Sequence, residues 1–580
     1  MKLLSKVNSP ADLKLLSPVQ LSQLSTEIRS VIISQVEYFG GHLGSNLAVV
    51  ELTVALHYVF NSPLDRFIFD TGHQCYAHKI LTGRRELPNL RQSEGISGYP
   101  WRKESEHDWV ENSHSGSALA WLAGFAYSQA ELRHTIAVVG DGALGAGPSL
   151  EALNLIPTLP NAGGIIVLND NGRSYASTQG ALSGIGNNPK AIRSFFEILG
   201  YEYFGPLAGH DLAALIRVFE QSKTSAKPVV IHVKTQKGRG YEKAENDYND
   251  HLHTYSPAKK QGLSGREVFS QEILKQAKND PRTVALSAAM VEPTGLLPLQ
   301  TASPNQVIDV GISEQFLVTF ASSLAANGYK PVVCLYSTFL NRAWDQLLYD
   351  AALHNSGITF IIDRAGITGV DGPSHHGQFD LSLLRQLPGA KIWAPSNEGD
   401  LRRALKQSFE SNGELNFIRY SNLPIEVGSP GLGKVGDCDV TYQQTSGSLG
   451  AGVKISLVGI GAFADLALKS ARLIGTDEKE NNPLLVVEVL RPNQIWPLPI
   501  GMIDHLQNSD LVVVIEDGGS GGISSAIQAA LAQKGNSPKV LALDLGADFL
   551  AAKDRSEILS EKGLTPEVIS DVIHTEIKGF

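Results

Sequence analysis

Short, unbroken apolar segments recur along the chain, and each is followed by a glycine-rich turn and a helical pattern. Examples are Ile136–Val139, Ile165–Leu168, Thr359–Ile362 and Leu511–Ile515. Strands that are apolar at successive positions are typical of parallel sheets with helices packed on both faces. The segments form three clusters along 580 residues, which predicts an α/β protein of three doubly wound domains.

Two stretches of different composition separate the three clusters. Residues 242–261 are polar and rich in Lys, Asn, Asp and His, whereas residues 424–450 are rich in Gly, Ser and Pro. Such stretches are typical of linkers between compact regions. We therefore expect domains at residues 1–262, 263–435 and 436–580.

The charge balance argues against a nucleic-acid-binding surface. The chain has 49 basic and 59 acidic side chains, a net charge of −10, and it contains no dense basic run. Phosphate contacts along a nucleic acid require clustered Lys and Arg. We expect no nucleic-acid partner.

Cysteine content and hydropathy indicate a cytoplasmic protein. Cys75, Cys334 and Cys438 are too few for a disulfide framework and show no paired metal spacing. No apolar stretch reaches the roughly 18 residues needed to cross a bilayer. The first residues lack the apolar core of a signal peptide, and we expect no membrane contact.

Polar motifs follow two consecutive strands of the first cluster. Gly140-Asp141-Gly142 comes directly after one strand, and Asn169-Asp170-Asn171 ends the next. Within one strand–helix–strand unit, Asp141 and Asn171 are expected side by side at the strand ends, where ligands bind in doubly wound sheets. A carboxylate and an amide oxygen suit a hard cation that also binds phosphate oxygens. A single Gly-Asp-Gly is usually only a turn; the pairing favours a functional site.

Glu314 lies in the first turn of a predicted helix that follows strand Val307–Val310. A carboxylate at a helix start often only interacts with the helix dipole, and this interpretation stays open. Its apolar neighbours Ile312, Phe316 and Leu317 would raise its pKa and suit it to proton exchange with a heterocycle nitrogen.

Four histidines, His42, His73, His114 and His375, lie in glycine-rich loops. One loop histidine is usually structural or solvated. The recurrence favours proton transfer and phosphate contacts, whereas metal binding is weaker because no metal-ligand spacing is present. The glycine-rich turn at Lys237–Tyr241 is weak evidence alone.

The paired Asp141 and Asn171 motifs resemble the thiamine diphosphate signature. Because the signature precedes Glu314, its order is similar to transketolase-type enzymes and unlike decarboxylase-type enzymes. Within that group the chain is most similar, over nearly its whole length, to the 1-deoxy-D-xylulose-5-phosphate synthase family. The matching segments are Gly40–Asn46, Asp70–Tyr76, Lys79–Arg85, Asn171–Ser174, Lys237–Glu245, Asp309–Gln315, Tyr336–Gln346 and Asp363–Asp380.

The resemblance implies a diphosphate- and Mg²⁺-binding first domain, a pyrimidine-binding second domain and a transketolase-like C-terminal domain. Thiamine diphosphate and Mg²⁺ are the implied cofactors, with Mg²⁺ held by Asp141, Asn171 and the carbonyl of Arg173. The implied cofactor-binding residues are His73, Ser113, His114, Ser115, Gly142, Ala143, Asn171, Tyr241, Glu314 and Phe339. The implied catalytic residues are Glu314, His42, His253, His375 and Asp371, and the implied substrate-binding residues are Ser45, Tyr336, Arg364 and Arg419.

The activity implied by the resemblance is the decarboxylative condensation of pyruvate with D-glyceraldehyde 3-phosphate to 1-deoxy-D-xylulose 5-phosphate and CO₂. This reaction belongs to isoprene and thiamine biosynthesis. The implied assembly is a homodimer, with the third domain serving structure and dimerisation.

The chain departs from the family pattern at several positions. Phe316 stands where the family has His, and Asn422 stands where it has the second Arg of Arg-Tyr-Pro-Arg-Gly. Residues 113–117 differ from Gly-His-Ser-Ser-Thr, and the segment between Ser174 and Phe195 is short. Losing a charge-assisted phosphate contact of about 1.5–3 kcal/mol would raise the acceptor KM roughly tenfold to a hundredfold.

These departures leave two alternatives open. One is an acyloin synthase or transketolase-like enzyme with the same chemistry and another aldehyde acceptor. The other is a non-catalytic paralogue that serves as a binding partner, although Asp141, Asn171 and Glu314 are all present.

Overall fold

The computed structural model describes residues 3–127, 133–160, 163–185, 188–257, 262–411, 413–428, 431–446, 449–475, 483–535 and 537–578. The chain forms two compact units. The first comprises Met1–Lys259 and Asp309–Ser313, and the second comprises Lys260–Ile308 and Glu314–Phe580. Among the described residues, no helix has the length and apolar character required to cross a bilayer.

The first unit contains a five-stranded sheet in the order β1-β2-β3-β5-β4, with all neighbours parallel. Its strands are β1 (Arg66–Asp70), β2 (Thr135–Gly140), β3 (Ile165–Asp170), β4 (Glu202–Ala208) and β5 (Val229–Lys234). All positions of β3 are buried, as expected for a strand covered on both faces. Because the strands are parallel, the loops that follow β1, β2, β3 and β5 lie at one edge of the sheet.

Helices cover the sheet of the first unit. They are α1 (Pro10–Leu13), α2 (Pro18–Phe39), α3 (Gly44–Ala48), α4 (Val50–Val59), α5 (Tyr76–Leu81), α6 (Ala118–Tyr127), α7 (Asp141–Leu144), α8 (Gly147–Leu155), α9 (Ala181–Ile185), α10 (Pro189–Leu199), α11 (Leu212–Ser222) and α12 (Glu242–Glu245).

Helix α2 shows how the sequence sets a helix start and a buried face. The Ser17 backbone N–H donates to Gln20 Oε1 at 2.9 Å, and the Gln20 N–H donates back to the Ser17 hydroxyl. Leu21, Leu24, Ile28, Ile32 and Val36 follow helical spacing and are buried.

The second unit contains two sheets. The first has the order β16-β10-β11-β9-β8-β6-β7. Its strands are β6 (Thr283–Ser287), β7 (Val307–Asp309), β8 (Lys330–Tyr336), β9 (Ile358–Asp363), β10 (Ala390–Trp393), β11 (Leu415–Arg419) and β16 (Gln494–Trp496). Strand β16 pairs antiparallel with β10, whereas the pairings from β10 through β6 are parallel.

The other sheet has the order β12-β13-β15-β14-β17-β18. Its strands are β12 (Gly433–Val435), β13 (Cys438–Ser446), β14 (Leu449–Gly459), β15 (Pro483–Pro492), β17 (Leu511–Ile515) and β18 (Lys539–Leu543). The four strands β15, β14, β17 and β18 are parallel, and β13 and β12 extend them antiparallel.

The helices of the second unit alternate with these strands. They are α13 (Gly265–Asn279), α14 (Leu297–Ala302), α15 (Glu314–Ala326), α16 (Ser337–Leu340), α17 (Trp344–Gln346), α18 (Asp380–Leu384), α19 (Glu398–Glu410), α20 (Ala464–Gly475), α21 (Met502–Leu506), α22 (Ile523–Ala532), α23 (Arg555–Glu561) and α24 (Pro566–Ile577). A single π-helical turn, Leu347–Ala352, follows α17.

The predicted α/β class with three helix-covered sheets is confirmed, although two of the sheets also carry antiparallel strands. The boundaries at residues 262 and 435 stay a prediction. The polar stretch 242–261 differs from the expected linker over its described part: it begins with α12, and Tyr255 pairs with Gly41. Residues 258–261 lie outside the described residues.

Candidate functional site

In the first unit, Asp141 and Asn171 follow neighbouring strands. Gly140 of β2 is opposite Asn169 of β3, so the residues directly after them begin at the same level of the sheet. Asp141 is the first residue of α7, and its Oδ2 accepts a hydrogen bond of 2.7 Å from the Thr178 hydroxyl. Asp141 and Asn171 both line a cavity of about 450 Å³.

The electrostatics of this cavity favour a cation. Burial raises the pKa of the Asp141 carboxyl, and the nearby charge of Asp170 raises it further, against the Thr178 hydrogen bond. A poorly solvated carboxylate is stabilised by a positive ion. Together with the amide oxygen of Asn171, it provides the hard oxygen ligands that Mg²⁺ prefers. The donor set therefore fits Mg²⁺.

Three predicted histidines of the first unit form one cluster. The ring centroids of His42 and His73 are 4.9 Å apart, those of His73 and His253 are 5.0 Å apart, and those of His42 and His253 are 5.7 Å apart. Ser45 joins the cluster: its hydroxyl is 3.1 Å from His73 Nε2 and 3.4 Å from His253 Nδ1. The ring of Tyr175 packs on His253 with centroids 4.0 Å apart.

Lys237 belongs to this cluster, although the sequence marked it only as part of a glycine-rich turn. Its Nζ donates 2.8 Å to His253 Nδ1 and also donates to the carbonyl of Ser174. Burial lowers the pKa of Lys237 to about 7, against the charge of Asp250. Burial and the Lys237 charge also lower the pKa of His73 to about 3 and hold that of His253 well below its usual value. These two imidazoles are therefore neutral.

Asn46 holds two histidine loops in place. Its Nδ2 donates to the backbone carbonyls of His42 and His73, each at 2.7 Å. Its Oδ1 accepts a 2.8 Å hydrogen bond from the Tyr76 backbone N–H. The side chain is completely buried, so one amide fixes three backbone groups away from solvent.

The Ser113–Ser115 loop is anchored by Asp70 at the end of β1. Asp70 Oδ1 accepts from the Ser115 hydroxyl at 3.3 Å, and Oδ2 accepts from the Gly116 and Ala118 backbone N–H groups at 2.9 and 3.1 Å. The buried Ser113 hydroxyl has no hydrogen-bond partner among the described residues. The Asp70 carboxylate, which binds backbone N–H groups at the start of α6, thus positions the loop and leaves the Ser113 hydroxyl available for a ligand.

The other predicted cofactor residues of the first unit take different positions. Gly142 and Ala143 lie in α7 beside Asp141. The Arg173 backbone N–H donates 3.3 Å to Asn171 Oδ1, which ties the predicted carbonyl ligand to the amide ligand. The Tyr241 hydroxyl donates to Glu37 near the end of α2. The roles of Tyr241 and His114 stay predictions.

In the second unit, Glu314 is the first residue of α15, as the sequence predicted, and is 5% exposed. Burial raises the pKa of its carboxyl, and the guanidinium of Arg342 opposes this rise. Glu314 Oε2 lies 3.4 Å from Arg342 Nε. A carboxyl with a raised pKa is suited to sharing a proton with a nitrogen base.

Five predicted residues of the second unit lie close together, at the end of β8 and in the segments that follow β8 and β9. The rings of Tyr336 and Phe339 are stacked with centroids 5.8 Å apart, and the His375 ring is 6.0 Å from that of Phe339. The Arg364 guanidinium lies 4.1 Å from the Tyr336 ring centroid and 3.7 Å from the Asp371 carboxylate. This group combines a cation, a carboxylate, a phenol and an imidazole, which suits a polar anionic substrate.

Arg419, predicted to bind substrate, is buried between two carboxylates. Its Nε and Nη2 donate to Asp380 at 2.9 and 3.2 Å, and its Nη1 donates to Asp517 at 2.6 Å. Burial lowers the pKa of Arg419, but the two carboxylates outweigh that effect and raise it. A substrate phosphate would have to displace these partners to reach the guanidinium, and the predicted substrate contact of Arg419 stays a prediction.

Nearby Asn422 and Glu516 make structural contacts. Asn422 Nδ2 donates 3.2 Å to the carbonyl of Thr368. Glu516, in the acidic turn after β17, accepts from the backbone N–H groups of Ile523 and Ser524 at 2.8 and 3.0 Å and so caps α22.

Sequence reasoning missed the roles of Lys237 and Asn46 in the histidine cluster of the first unit and of Arg342 beside Glu314 in the second unit. Lys237 and Asn46 lie inside segments that resemble the family, but neither has a neighbouring motif that signals burial. Arg342 lies within Tyr336–Gln346, and its pairing with Glu314 depends on the packing of α15. The short sequence motifs therefore predicted where candidate site residues lie, but not which buried charged residues lie beside them.

Family models match two parts of the chain. A model described as 1-deoxy-D-xylulose-5-phosphate synthase matches residues 4–191 and 186–235. A model described as the transketolase pyrimidine binding domain matches residues 261–422, which include Glu314 and Arg364.

Curated relatives match the whole chain. A protein named 1-deoxy-D-xylulose-5-phosphate synthase 2 from Kitasatospora griseola is 38% identical over 99% of this chain and 98% of its own length. The 1-deoxy-D-xylulose-5-phosphate synthase of Corynebacterium jeikeium is 39% identical over 99% of both chains. A transketolase structure from Campylobacter jejuni, with a TM-score of 0.44 and 17% identity over 97% of this chain, is too distant to support an argument. The full-length similarity to the curated relatives establishes that the chain belongs to the 1-deoxy-D-xylulose-5-phosphate synthase family.

Proposed function

We propose that the chain condenses pyruvate with D-glyceraldehyde 3-phosphate to give 1-deoxy-D-xylulose 5-phosphate and CO₂. The observation that carries the proposal is the family membership over the full length, with Asp141, Asn171 and Glu314 all retained. The relatives named for this synthase support the reaction, and the pyrimidine-domain match supports thiamine diphosphate as the cofactor.

In this proposal Asp141, Asn171 and the Arg173 carbonyl would hold Mg²⁺, which would supply positive charge for the cofactor diphosphate. The buried carboxylate beside an amide oxygen supports this assignment. Thiamine diphosphate, when bound, supplies a carbon nucleophile that permits loss of CO₂ from a 2-oxo acid. His73, Ser113–Ser115, Gly142 and Ala143 would complete the diphosphate contacts, and Phe339 would contact the aminopyrimidine.

Glu314 holds a proton at a ring nitrogen of the cofactor, for which its raised pKa is suited. His42, His253 and His375 bind or move protons at the reacting carbons. His253 is neutral and its Nδ1 accepts the hydrogen bond from Lys237, so the ring carries its proton on Nε2 and can donate it there as a hydrogen bond.

Tyr336, Arg364 and Asp371 orient the acceptor, with Ser45 assisting from the histidine cluster. Arg364 supplies the positive charge for the acceptor phosphate. Asn422 supplies no second charge, so we expect a weaker affinity for glyceraldehyde 3-phosphate than an arginine at that position would give.

We further propose a cytoplasmic homodimer. Large apolar side chains on the adjacent helices α6 and α8 are exposed by 40% or more: Trp121, Tyr127, Leu150 and Leu155. These exposed side chains support a protein interface on the first unit, in addition to the third-domain contact that the family resemblance implies. The three thiols are free, which supports a reducing compartment.

The test is CO₂ release from labelled pyruvate with and without glyceraldehyde 3-phosphate, together with identification of the product. The proposal expects 1-deoxy-D-xylulose 5-phosphate that depends on thiamine diphosphate and Mg²⁺. Other aldehydes serve as control acceptors. Product formed only with another aldehyde, or no aldehyde-dependent product, would refute it.

A further inference from the structure

The loop formed by residues 366–377 carries Asp371 and His375, and its two ends are joined. The backbone groups of Gly366 and Gly377 exchange two hydrogen bonds, at 3.0 and 2.7 Å. A Cβ atom at Gly377 would lie 2.5 Å from the carbonyl oxygen of Arg364, so this close approach requires glycine. The base of the 366–377 loop is therefore closed beside Arg364.

His376 links the interior of this loop to another part of the second unit. The side chain is 2% exposed. Its Nδ1 accepts a 3.1 Å hydrogen bond from the Thr368 backbone N–H, and its Nε2 donates 3.1 Å to the carbonyl of Ala551. Both bonds form only with a neutral ring that carries its proton on Nε2.

Further contacts hold the loop against residues 548–555. Gln378 Nε2 donates 2.9 Å to the carbonyl of Asp548, and Arg555 Nη1 donates 3.4 Å to the carbonyl of Ile367. Asn422 donates to the carbonyl of Thr368, so both backbone groups of Thr368 are bound. In this set, His376 is the residue whose side chain is hydrogen-bonded both to a backbone group of the loop, at Thr368, and to a backbone group of residues 548–555, at Ala551.

We propose that His376 is a positioning residue that holds the 366–377 loop on residues 548–555 and so places Asp371 and His375 for the acceptor. The functional part of this inference rests on the proposed function, because it assigns those two side chains to the acceptor. The hydrogen bonds of His376 are made to neighbouring protein groups, so its replacement acts through the loop. Replacing His376 should therefore raise the KM for the acceptor more than it weakens cofactor binding.

Three substitutions separate the two hydrogen bonds. In His376→Asn the amide oxygen takes the place of Nδ1 and keeps the bond from Thr368, whereas in His376→Gln the amide nitrogen takes the place of Nε2 and keeps the bond to Ala551. His376→Ala loses both. His354→Ala, at an exposed histidine of the same unit, is the matched control.

Two readouts are measured on the full-length holoenzyme. Hydrogen exchange in peptides covering residues 364–378 should be about tenfold faster in His376→Ala and about threefold faster in each amide variant. The KM for glyceraldehyde 3-phosphate should rise by similar factors, while the affinity for thiamine diphosphate changes less than twofold. The His354→Ala control should match the wild type in both.

Unchanged exchange in the Ala variant would overturn the positioning role even if the wild type makes the expected product. Equal defects in all three variants, or an equal loss of cofactor affinity, would also overturn it. If exchange changes as expected but the wild type forms no product, the proposed function fails and the loop-holding role stands. The Asn and Gln variants keep the test decisive if the Ala variant does not fold.

Discussion

Replacing Arg419 by methionine should sharply destabilise the second unit. The guanidinium makes three hydrogen bonds of 2.6–3.2 Å to Asp380 and Asp517, and all three side chains are 2% exposed or less. Removing one partner of a buried ion pair costs about 3–5 kcal/mol, because the remaining charge is neither solvated nor paired. Here two carboxylates would remain, so we expect a loss of unfolding free energy near the upper end of that range.

The loss of unfolding free energy in Arg419→Met should depend on pH. Burial raises the pKa of Asp380 even with Arg419 present, although the arginine opposes this rise. Without Arg419, the pKa of the Asp380 carboxyl should rise further. A carboxyl whose folded pKa exceeds its unfolded pKa stabilises the fold at low pH and loses that contribution as pH rises. The loss of unfolding free energy in Arg419→Met should therefore become smaller as pH falls from 8 to 5.

The assay is equilibrium urea unfolding, followed by circular dichroism, of the wild type, Arg419→Met and the triple variant Arg419→Met/Asp380→Asn/Asp517→Asn. The triple variant removes the unpaired charges and should recover most of the lost free energy. A loss below about 1 kcal/mol, well under the buried-pair range, would refute the reasoning. A stable Arg419→Met protein with a raised KM for the acceptor would instead favour substrate contact by Arg419.

Three further predictions concern the proposed site. Asp141→Asn should weaken Mg²⁺ binding at least about tenfold in titration calorimetry, and wild-type binding should weaken as pH falls through the raised pKa of Asp141; unchanged binding would exclude it as a ligand. Glu314→Gln should lower kcat by about 10²–10⁴ with little effect on folding, and full activity in steady-state assays would contradict its proton role. Asn422→Arg should lower the KM for glyceraldehyde 3-phosphate roughly tenfold to a hundredfold; an unchanged KM would show that the phosphate does not reach this position.

Local sequence patterns predicted the parts of the site that depend on a single supersecondary unit. Asp141 and Asn171 follow adjacent parallel strands, so the order of strands and the apolar pattern were enough to pair them. Glu314 at the start of α15 was likewise predictable, because the strand before it and the helical pattern after it fix its position.

Contacts between distant segments could not be predicted in this way. Ser45 and His253 are 208 residues apart in sequence, and the polar composition around His253 is typical of a linker. Lys237 changes character through burial, which depends on packing that no local pattern reports. Arg419 illustrates the same limit, since its two carboxylate partners come from residues 39 and 98 positions away.

Asn46 makes the arrangement of two histidine loops depend on one atom type. An aspartate of the same shape would replace its donor nitrogen by an oxygen facing the carbonyls of His42 and His73, so two attractions would become two repulsions. Deamidation of Asn46, or its mutation to aspartate, would thus displace both loops and lower the proposed activity while every side chain proposed to bind ligands stays unchanged.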